Sequence, residues 1–196
     1  IYTPYDRDNY IYIIKKGKVR IYKLDASSGK ELTLLILSDG DVFGGISMNN
    51  NLTYNEFASA IYDTYICMIE REQFFELVST KPKINFKIVK LLGERIHEFK
   101  IILEDIVFKT VPQRVASLIL RLSNKLQTDN NKREIALSHQ DISTMIGATR
   151  ECTTSALNLL KKEGAIDIKR KKIIVKDPEL LSKVAKGNVN PPLVFY

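Results

Sequence analysis

The sequence has little of what disulfide-bonded, membrane-spanning and cluster-binding proteins need. Its two cysteines, Cys67 and Cys152, are too few for a disulfide framework and fit a reducing cytoplasm. They also fall short of the roughly four thiolates that hold an iron–sulfur cluster. No apolar run approaches the eighteen or so residues of a membrane span, and Leu32–Leu37 is typical of the longest. We therefore expect a cytoplasmic protein that does not cross a membrane.

Histidine is equally scarce, which argues against haem binding, metal binding and catalysis by histidine. His97 and His139 are the two histidines of the sequence, and each is typical of an ordinary surface or boundary residue rather than of a haem ligand. The sequence has no Ser/His/Asp set, no His and Cys at metal-binding spacing and no phosphate-binding loop. Carboxylate pairs such as Glu104 and Asp105 are interpreted as solvated charges on helix surfaces. We expect no enzymatic activity, no metal and no cofactor.

Positive charge is unevenly distributed. The net charge is +7, yet residues 1–112 hold 15 Lys and Arg against 15 Asp and Glu. Residues 113–196 hold 15 against 8, so the whole surplus lies there. A domain that binds a polyanion such as DNA needs this excess. The alternative is a solvated, lysine-rich surface without such a partner.

The stretch Ser138–Ile166 carries the strongest local signals. Ser138 and Thr149 suit the N-caps of two short helices, and Gly147 suits the turn between them, where φ is positive. The buried face of the second helix is predicted to contain Ala156, Leu157 and Leu160, with Cys152 or Thr153. Its first turns then present outward Arg150, Glu151, Thr154 and Ser155. This pattern predicts a helix-turn-helix, whose second helix enters the major groove of DNA, although a purely structural helical hairpin shows the same pattern.

A basic hairpin is predicted directly after this stretch. Gly164 ends the second helix, and Ala165–Lys176 has the composition of a strand, a basic turn and a second strand. A hairpin in this place is the wing of a winged-helix domain. Its phosphate-binding candidates are Lys169, Lys171 and Lys172.

The first part of the chain contains signals for short strands between Tyr10 and about Ile69. The predicted strand segments are NYIYII, KVRIYKL, ELTLLIL and TYICMIE. They are rich in β-branched and aromatic residues, and Gly17, Gly29 and Gly40 punctuate the region at regular intervals. Such spacing predicts an antiparallel sandwich, barrel or jelly roll. Cys67 lies in the last of these segments, and we expect it in the core.

A long helix is predicted from Pro82 to about Thr110, with Pro112 ending it and marking the hinge. Its apolar residues follow alternating steps of three and four, which is a heptad seam and favours a two-stranded dimer. The predicted dimer interface consists of Val89, Leu92, Ile96, Phe99, Leu103 and Ile106. The alternative is a helix that packs this stripe against its own β domain.

Two segments resemble the cAMP receptor protein/FNR (Crp/Fnr) family of bacterial transcription regulators. They are NYIYIIKKGKVRIYKLDASSGKELTLLILSDGDVFGGIS and ISTMIGATRECTTSALNLLKKEGAI, the latter followed by KKIIVKD. The resemblance covers nearly the whole chain and implies an α+β fold. Its parts would be an N-terminal cyclic-nucleotide-binding-like β-roll in residues 1–80, a dimerisation helix and hinge in 81–111 and a winged helix-turn-helix in 112–196. Because the chain opens at Ile1 rather than Met, we expect its N-terminus to be incomplete.

The resemblance also implies partners, namely double-stranded DNA, a second copy of the chain and RNA polymerase. In the recognition helix, Arg150 would contact guanine and Glu151 cytosine. The predicted DNA-binding residues are Ser138, His139, Thr149, Arg150, Glu151, Thr154, Ser155, Lys169, Lys171 and Lys172. The competing interpretation is a small-molecule-sensing or protein-interaction module that does not bind DNA.

Cyclic-nucleotide binding is not expected. Family members that bind cAMP hold its ribose with a glutamate where this chain has Gly45, and its phosphate with an Arg-Ser pair. Tyr54-Asn55 or Asn55-Glu56 occupies the place of that pair, and no arginine occurs between Arg20 and Arg71. An anionic effector near Arg95 and a ligand-free regulator both remain open. The candidate effector pocket contains Gly44, Gly45, Ile46, Ser47, Tyr54, Asn55, Arg95, Phe99 and Lys100.

Overall fold

A computed structural model describes residues 1–46, 53–125, 134–170 and 172–187, which fall into two units, Ile1–Arg95 and Ile96–Tyr196. The first unit is built mainly of strands and the second mainly of helices. None of the helices in the described ranges has the length and apolar character that crossing a membrane requires. Ser47 and Lys171, predicted in the effector pocket and the wing, lie outside the described residues.

Two antiparallel three-stranded sheets form the first unit, in the orders β4-β1-β6 and β3-β2-β5. Their strands are β1 (Tyr10–Lys16), β2 (Val19–Leu24), β3 (Glu31–Leu37), β4 (Val42–Gly44), β5 (Phe57–Ala60) and β6 (Tyr65–Glu70). β1, β2, β3 and β6 lie in the predicted strand segments. β4 and β5 were not predicted, because three or four residues are too few to show an alternating pattern.

The core of the first unit is largely aliphatic and aromatic. Its fully buried side chains are Ile11, Ile14, Val19 and Ile21. The interpretation of Cys67 as a core residue is wrong, because its side chain is exposed. Cys67 lies on β6, which pairs only with β1 among the described strands, between the partly buried Ile66 and Ile69.

Two helices follow the strands, α1 (Arg71–Thr80) and α2 (Pro82–Phe108). α2 ends at Phe108, slightly before the predicted end. Pro112 does not end this helix but lies in the first turn of the next, α3 (Val111–Lys125). A proline is tolerated there because the first backbone N–H groups of a helix have no intrahelical partner.

Each of the remaining elements of the second unit contributes buried side chains to its hydrophobic core. These elements are β7 (Glu134–Ile135), α4 (His139–Ile146), α5 (Arg150–Lys162), β8 (Ile166–Lys169), β9 (Lys172–Val175) and α6 (Pro178–Ala185). The three strands form one antiparallel sheet in the order β7-β9-β8. Side chains that are no more than 1% exposed include Val115, Ile119, Ile142, Leu157, Leu160, Ile173 and Leu181. The predicted strand, turn and strand after the second short helix are thus β8 and β9.

The apolar seam of α2 is exposed within the single chain. Its six residues are between 37% and 63% exposed: Val89, Leu92, Ile96, Phe99, Leu103 and Ile106. Along α2, whose residues are all described, only Asp105 is buried. The helix therefore presents a stripe of large apolar side chains to solvent, which a second chain is able to cover.

Candidate nucleic-acid interface

The first short helix, α4, is fixed at both ends by its own residues. At its start the backbone N–H of Asp141 donates to Ser138 Oγ over 3.2 Å, and the backbone N–H of Ser138 donates to Asp141 Oδ2 over 2.8 Å. This reciprocal pair is a capping box. At its end Gly147 has φ of 63°, a left-handed conformation that glycine adopts without steric cost. The predicted helix boundaries are confirmed.

The second short helix, α5, begins at the predicted cap and buries the predicted face. Thr149 Oγ1 accepts from the backbone N–H of Cys152 over 3.2 Å. Thr153 is fully buried whereas Cys152 is exposed, which decides between the two candidates for the core face. The other buried residues of α5 are Ala156, Leu157 and Leu160. Its solvent-facing residues include Arg150, Glu151 and Ser155.

Thr154 is less exposed than its predicted outward position requires. It is half-buried, and its Oγ1 lies 3.0 Å from Nδ1 of His139, the first residue of α4. The two helices of the motif are therefore joined by a side-chain hydrogen bond next to the exposed residues of α5. Sequence spacing could not reveal this contact, because the two residues lie 15 positions apart.

A charge cluster that joins the end of α2 to α3 was not predicted from the sequence. Asp105 was interpreted as a solvated surface carboxylate, but it is only 5% exposed. Its carboxylate lies 2.6 Å from Lys109 Nζ and 3.8 Å from an Arg121 nitrogen. Burial lowers the pKa of Arg121, and the negative charge of Asp105 opposes that shift. The only sequence signal was the four-residue spacing of Asp105 and Lys109, which is common on solvated helices.

Arg114 connects α3 to the helix-turn-helix. Its guanidinium donates to the backbone carbonyl of Ile146, the last residue of α4, over 2.9 Å. The carbonyls at the end of a helix lack intrahelical partners, so a cation is favourable there. The turn that orients α5 is thus held by a charged group of the neighbouring helix.

The wing presents fewer free cations than its sequence contains. Lys172 Nζ lies 3.0 Å from a carboxylate oxygen of Glu134 on β7, so part of its charge is neutralised. Lys169 is exposed, and so is Arg170, which was not among the predicted contacts. Of the predicted wing lysines that the structure describes, Lys169 is the better placed to contact a phosphate.

A cluster of three tyrosines in the first unit, Tyr2, Tyr12 and Tyr54, includes one of the predicted effector residues. The ring of Tyr54 stacks on that of Tyr2, with 3.8 Å between the centroids. The Tyr54 hydroxyl donates to the backbone carbonyl of Tyr10 over 3.1 Å and accepts from the Tyr10 backbone N–H. Burial is the main cause that raises the pKa of Tyr54 above its ordinary value. Tyr54 therefore packs, uncharged, against the core of the first unit.

Among the acidic side chains of the same unit, Asp8 is buried and Glu56 is half-buried. Asp8 is 7% exposed, and its Oδ2 lies 3.6 Å from Arg71. A Cβ atom at Gly45 would lie 2.3 Å from Asp8 Oδ1, so only glycine fits beside this carboxylate. Burial raises the pKa of Asp8, and Arg71 opposes the rise. Glu56 is half-buried and accepts from the Tyr2 hydroxyl over 3.1 Å.

Glu56→Gln should raise the melting temperature, and raise it more at pH 7.5 than at pH 4. Burial raises the pKa of Glu56 above its ordinary 4.5, and Asp8 adds to the rise, while Tyr2, Lys23 and Arg95 oppose it. Ionisation of this carboxyl therefore costs more in the folded than in the unfolded state. The free energy of unfolding falls as the pH rises from 4.5 through the raised pKa. Glutamine carries no charge and still accepts from Tyr2.

Thermal unfolding followed by circular dichroism at the two pH values measures this effect. Glu76→Gln, which makes the same change at an exposed site, is the matched control and should alter the melting temperature little at either pH. A gain from Glu56→Gln that was larger at pH 4 would contradict the direction of the shift.

Arg95, one of the two charged candidates of the effector pocket, is engaged by residues of the first unit. Its guanidinium donates to the backbone carbonyl of Val42 and lies 3.9 Å from Asp41 Oδ1. Ile46 and Asn55 belong to the same unit, and Asn55 has a positive φ of 58°. The remaining candidates, Phe99 and Lys100, belong to the second unit. A role for these residues in binding an effector stays a prediction.

Two family models match the chain on either side of the long helix. The model described as "Crp-like helix-turn-helix domain" matches residues 113–184. The model described as "Cyclic nucleotide-binding domain" matches residues 1–81. The chain belongs to the Crp/Fnr family. The predicted Crp/Fnr architecture of β-roll, long helix and winged helix-turn-helix is confirmed.

Relatives in the Crp/Fnr family are transcription regulators rather than enzymes. The "CRP-like cAMP-activated global transcriptional regulator" of Mycobacterium tuberculosis is 28% identical over 186 residues, which are 93% of this chain and 81% of the relative. The "Global nitrogen regulator" of a Nostoc species is 27% identical over 188 residues, 93% of this chain and 84% of the relative. The solved structure of a CooA mutant from Carboxydothermus hydrogenoformans has a TM-score of 0.80 at 27% identity and covers 94% of this chain and 83% of its own. The chain is therefore a transcription regulator with a helix-turn-helix DNA-binding domain.

Proposed function

We propose that this Crp/Fnr protein binds a palindromic operator as a homodimer in the cytoplasm and reads its sequence with α5. The observation that carries the proposal is the first turns of α5, where Arg150 and Glu151 are exposed while Thr153 lies in the core. Side chains at the start of a recognition helix reach base edges in the major groove. In this proposal, as the sequence predicts, residues 1–80 form the β-roll, residues 81–111 form the dimerisation helix and hinge, and residues 112–196 form the domain that binds DNA.

Dimerisation is supported by the exposed seam of α2. Regulators of the family bind DNA as dimers and contact RNA polymerase, and we propose both for this chain. A stripe of apolar side chains at heptad spacing is what a parallel pair of helices buries. Two copies related by a twofold axis would place their α5 helices on two half-sites of opposite orientation.

Selection of bound DNA from a random pool tests this function. The wild-type chain should enrich a palindrome whose half-sites are centred about one helical turn apart, or a multiple of it. A pool that showed no enrichment over a mock selection would contradict sequence-specific binding. Enrichment of a single half-site would contradict the homodimer but not sequence-specific binding.

We further propose that cAMP is not the effector of this chain. The M. tuberculosis relative is described as cAMP-activated, but a nucleotide phosphate needs a cationic partner. Here the region carries the carboxylates of Asp8 and Glu56, and Tyr54 packs into the aromatic core. Negative charge and the absence of a loop arginine both disfavour a cyclic phosphate.

Calorimetric titration with cAMP and cGMP should show no saturable heat at micromolar nucleotide. The M. tuberculosis regulator, titrated in the same buffer with cAMP, is the positive control. A saturable isotherm for this chain with either nucleotide would mean that the β-roll binds the phosphate through residues other than the expected Arg-Ser pair. DNA affinity measured with and without the nucleotides should be equal.

A further inference from the structure

The hydroxyl of Thr154 is already occupied in the free protein. Its oxygen lies 3.0 Å from Nδ1 of His139. A neutral imidazole nitrogen without a proton accepts from the hydroxyl, and a protonated nitrogen donates to it. The hydroxyl is thus engaged in either protonation state of His139. The neighbouring Thr153 behaves differently, because its hydroxyl donates to the backbone carbonyl of Thr149 over 2.8 Å.

This hydrogen bond determines which part of Thr154 is available to DNA. A threonine carries a hydroxyl and a methyl group in different directions from Cβ, so a hydroxyl held by α4 leaves the methyl as the free branch. Thr154 follows Arg150 by four positions and Glu151 by three, and residues at these spacings share a helix face. Thr154 therefore lies on the same face of α5 as Arg150 and Glu151.

We propose that Thr154 recognises the 5-methyl group of a thymine in the major groove, with His139 as the positioning residue that keeps its hydroxyl turned away. The inference rests on the proposed DNA binding and extends it to one further base pair in each half-site. Thymine is the base that presents a methyl group in the major groove, and an apolar contact distinguishes it. Removing one methyl from water corresponds to about a fourfold gain in affinity per half-site.

Replacing thymine by deoxyuridine removes this methyl group and leaves base pairing unchanged. The selected operator is synthesised with each thymine replaced in turn, symmetrically in both half-sites, and binding is measured by fluorescence anisotropy. One symmetric position should weaken wild-type binding by about fourfold per half-site. If replacement by deoxyuridine weakens binding at none of the thymines in the selected motif, the proposal is overturned.

Two nearly isosteric variants assign the effect to Thr154. Thr154→Val keeps a methyl branch and loses the hydroxyl, so it should remain sensitive to uracil at that position. Thr154→Ser keeps the hydroxyl and loses the methyl, so it should bind the thymine and uracil operators equally. A serine variant that retained the full uracil penalty would assign the contact to another residue and overturn the proposal.

His139→Ala separates positioning from mere packing. With the hydroxyl released, Thr154 should lose most of the uracil penalty, and His139→Gln, which can still bond to the hydroxyl, should restore it. An unchanged penalty in a folded His139→Ala protein would remove the positioning role. Failure of the wild-type chain to select any motif would instead refute the DNA-binding proposal on which this inference rests.

Discussion

A Phe99→Glu variant should sediment as a monomer and bind its operator roughly 100-fold more weakly than the wild-type chain. Phe99 is 41% exposed in the single chain, and it lies between Ile96 and Leu103 on the seam of α2. In a parallel pair of helices its copies would face each other, so two carboxylates would be buried without partners. Loss of the dimer also removes the simultaneous binding of two half-sites, on which most of the affinity depends.

Analytical ultracentrifugation and DNA-binding isotherms check this result together. Lys87→Glu adds a carboxylate to an exposed position of the same helix that is not part of the seam, so it is the matched control and should leave the dimer intact. A Phe99→Glu chain that still sedimented as a dimer would place the interface elsewhere. A monomer with undiminished operator affinity would show that each chain binds independently.

An Arg150→Ala variant should lose selectivity at one symmetric base pair of the operator, by about 1–3 kcal/mol in each half-site. Arg150 is the first residue of α5, exposed, and directly follows the Thr149 cap. Its planar guanidinium matches the two acceptors of guanine, O6 and N7. Glu151→Ala should relax a second base pair, where the carboxylate would accept from cytosine N4. Repeating the DNA selection with each variant measures these changes position by position.

Lys169→Ala is the control for the opposite kind of contact. A wing lysine that binds phosphate should weaken all sequences alike and reduce the salt dependence of binding by about one ion per half-site. If Lys169→Ala altered one position of the motif while Arg150→Ala weakened every sequence equally, Lys169 would be the base contact and Arg150 the phosphate contact.

Local features were predicted well because each depends on a few adjacent residues. The capping box of Ser138 with Asp141 spans four positions, and the left-handed turn at Gly147 requires little beyond glycine itself. The Thr149 cap is of the same kind. Repetition served equally well on α2, since the seam was read from a three- and four-residue pattern over five steps.

Contacts between distant segments were not predictable in the same way. The four-residue spacing of Asp105 and Lys109 is typical of a solvated helix surface. In the structure Asp105 is buried, and Arg121 of α3 lies beside its carboxylate. The stacking of Tyr2 on Tyr54 likewise joins two residues that are far apart in the sequence. Cys67 lies in an apolar strand segment, which predicts a core position, but its side chain is exposed in the structure.

The sequence by itself determined the two domain types, the helix boundaries of the DNA-binding motif and the outward position of Arg150, Glu151 and Ser155 on α5. Helix caps, glycine turns and apolar periodicity act over one or two turns of chain, so their energetics are visible in the order of residues. Only the tertiary structure decided which polar groups are already engaged. His139 occupies the hydroxyl of Thr154, and Glu134 holds Lys172. The availability of a donor or acceptor depends on what another segment places within about 3 Å of it, and chain folding alone sets that distance.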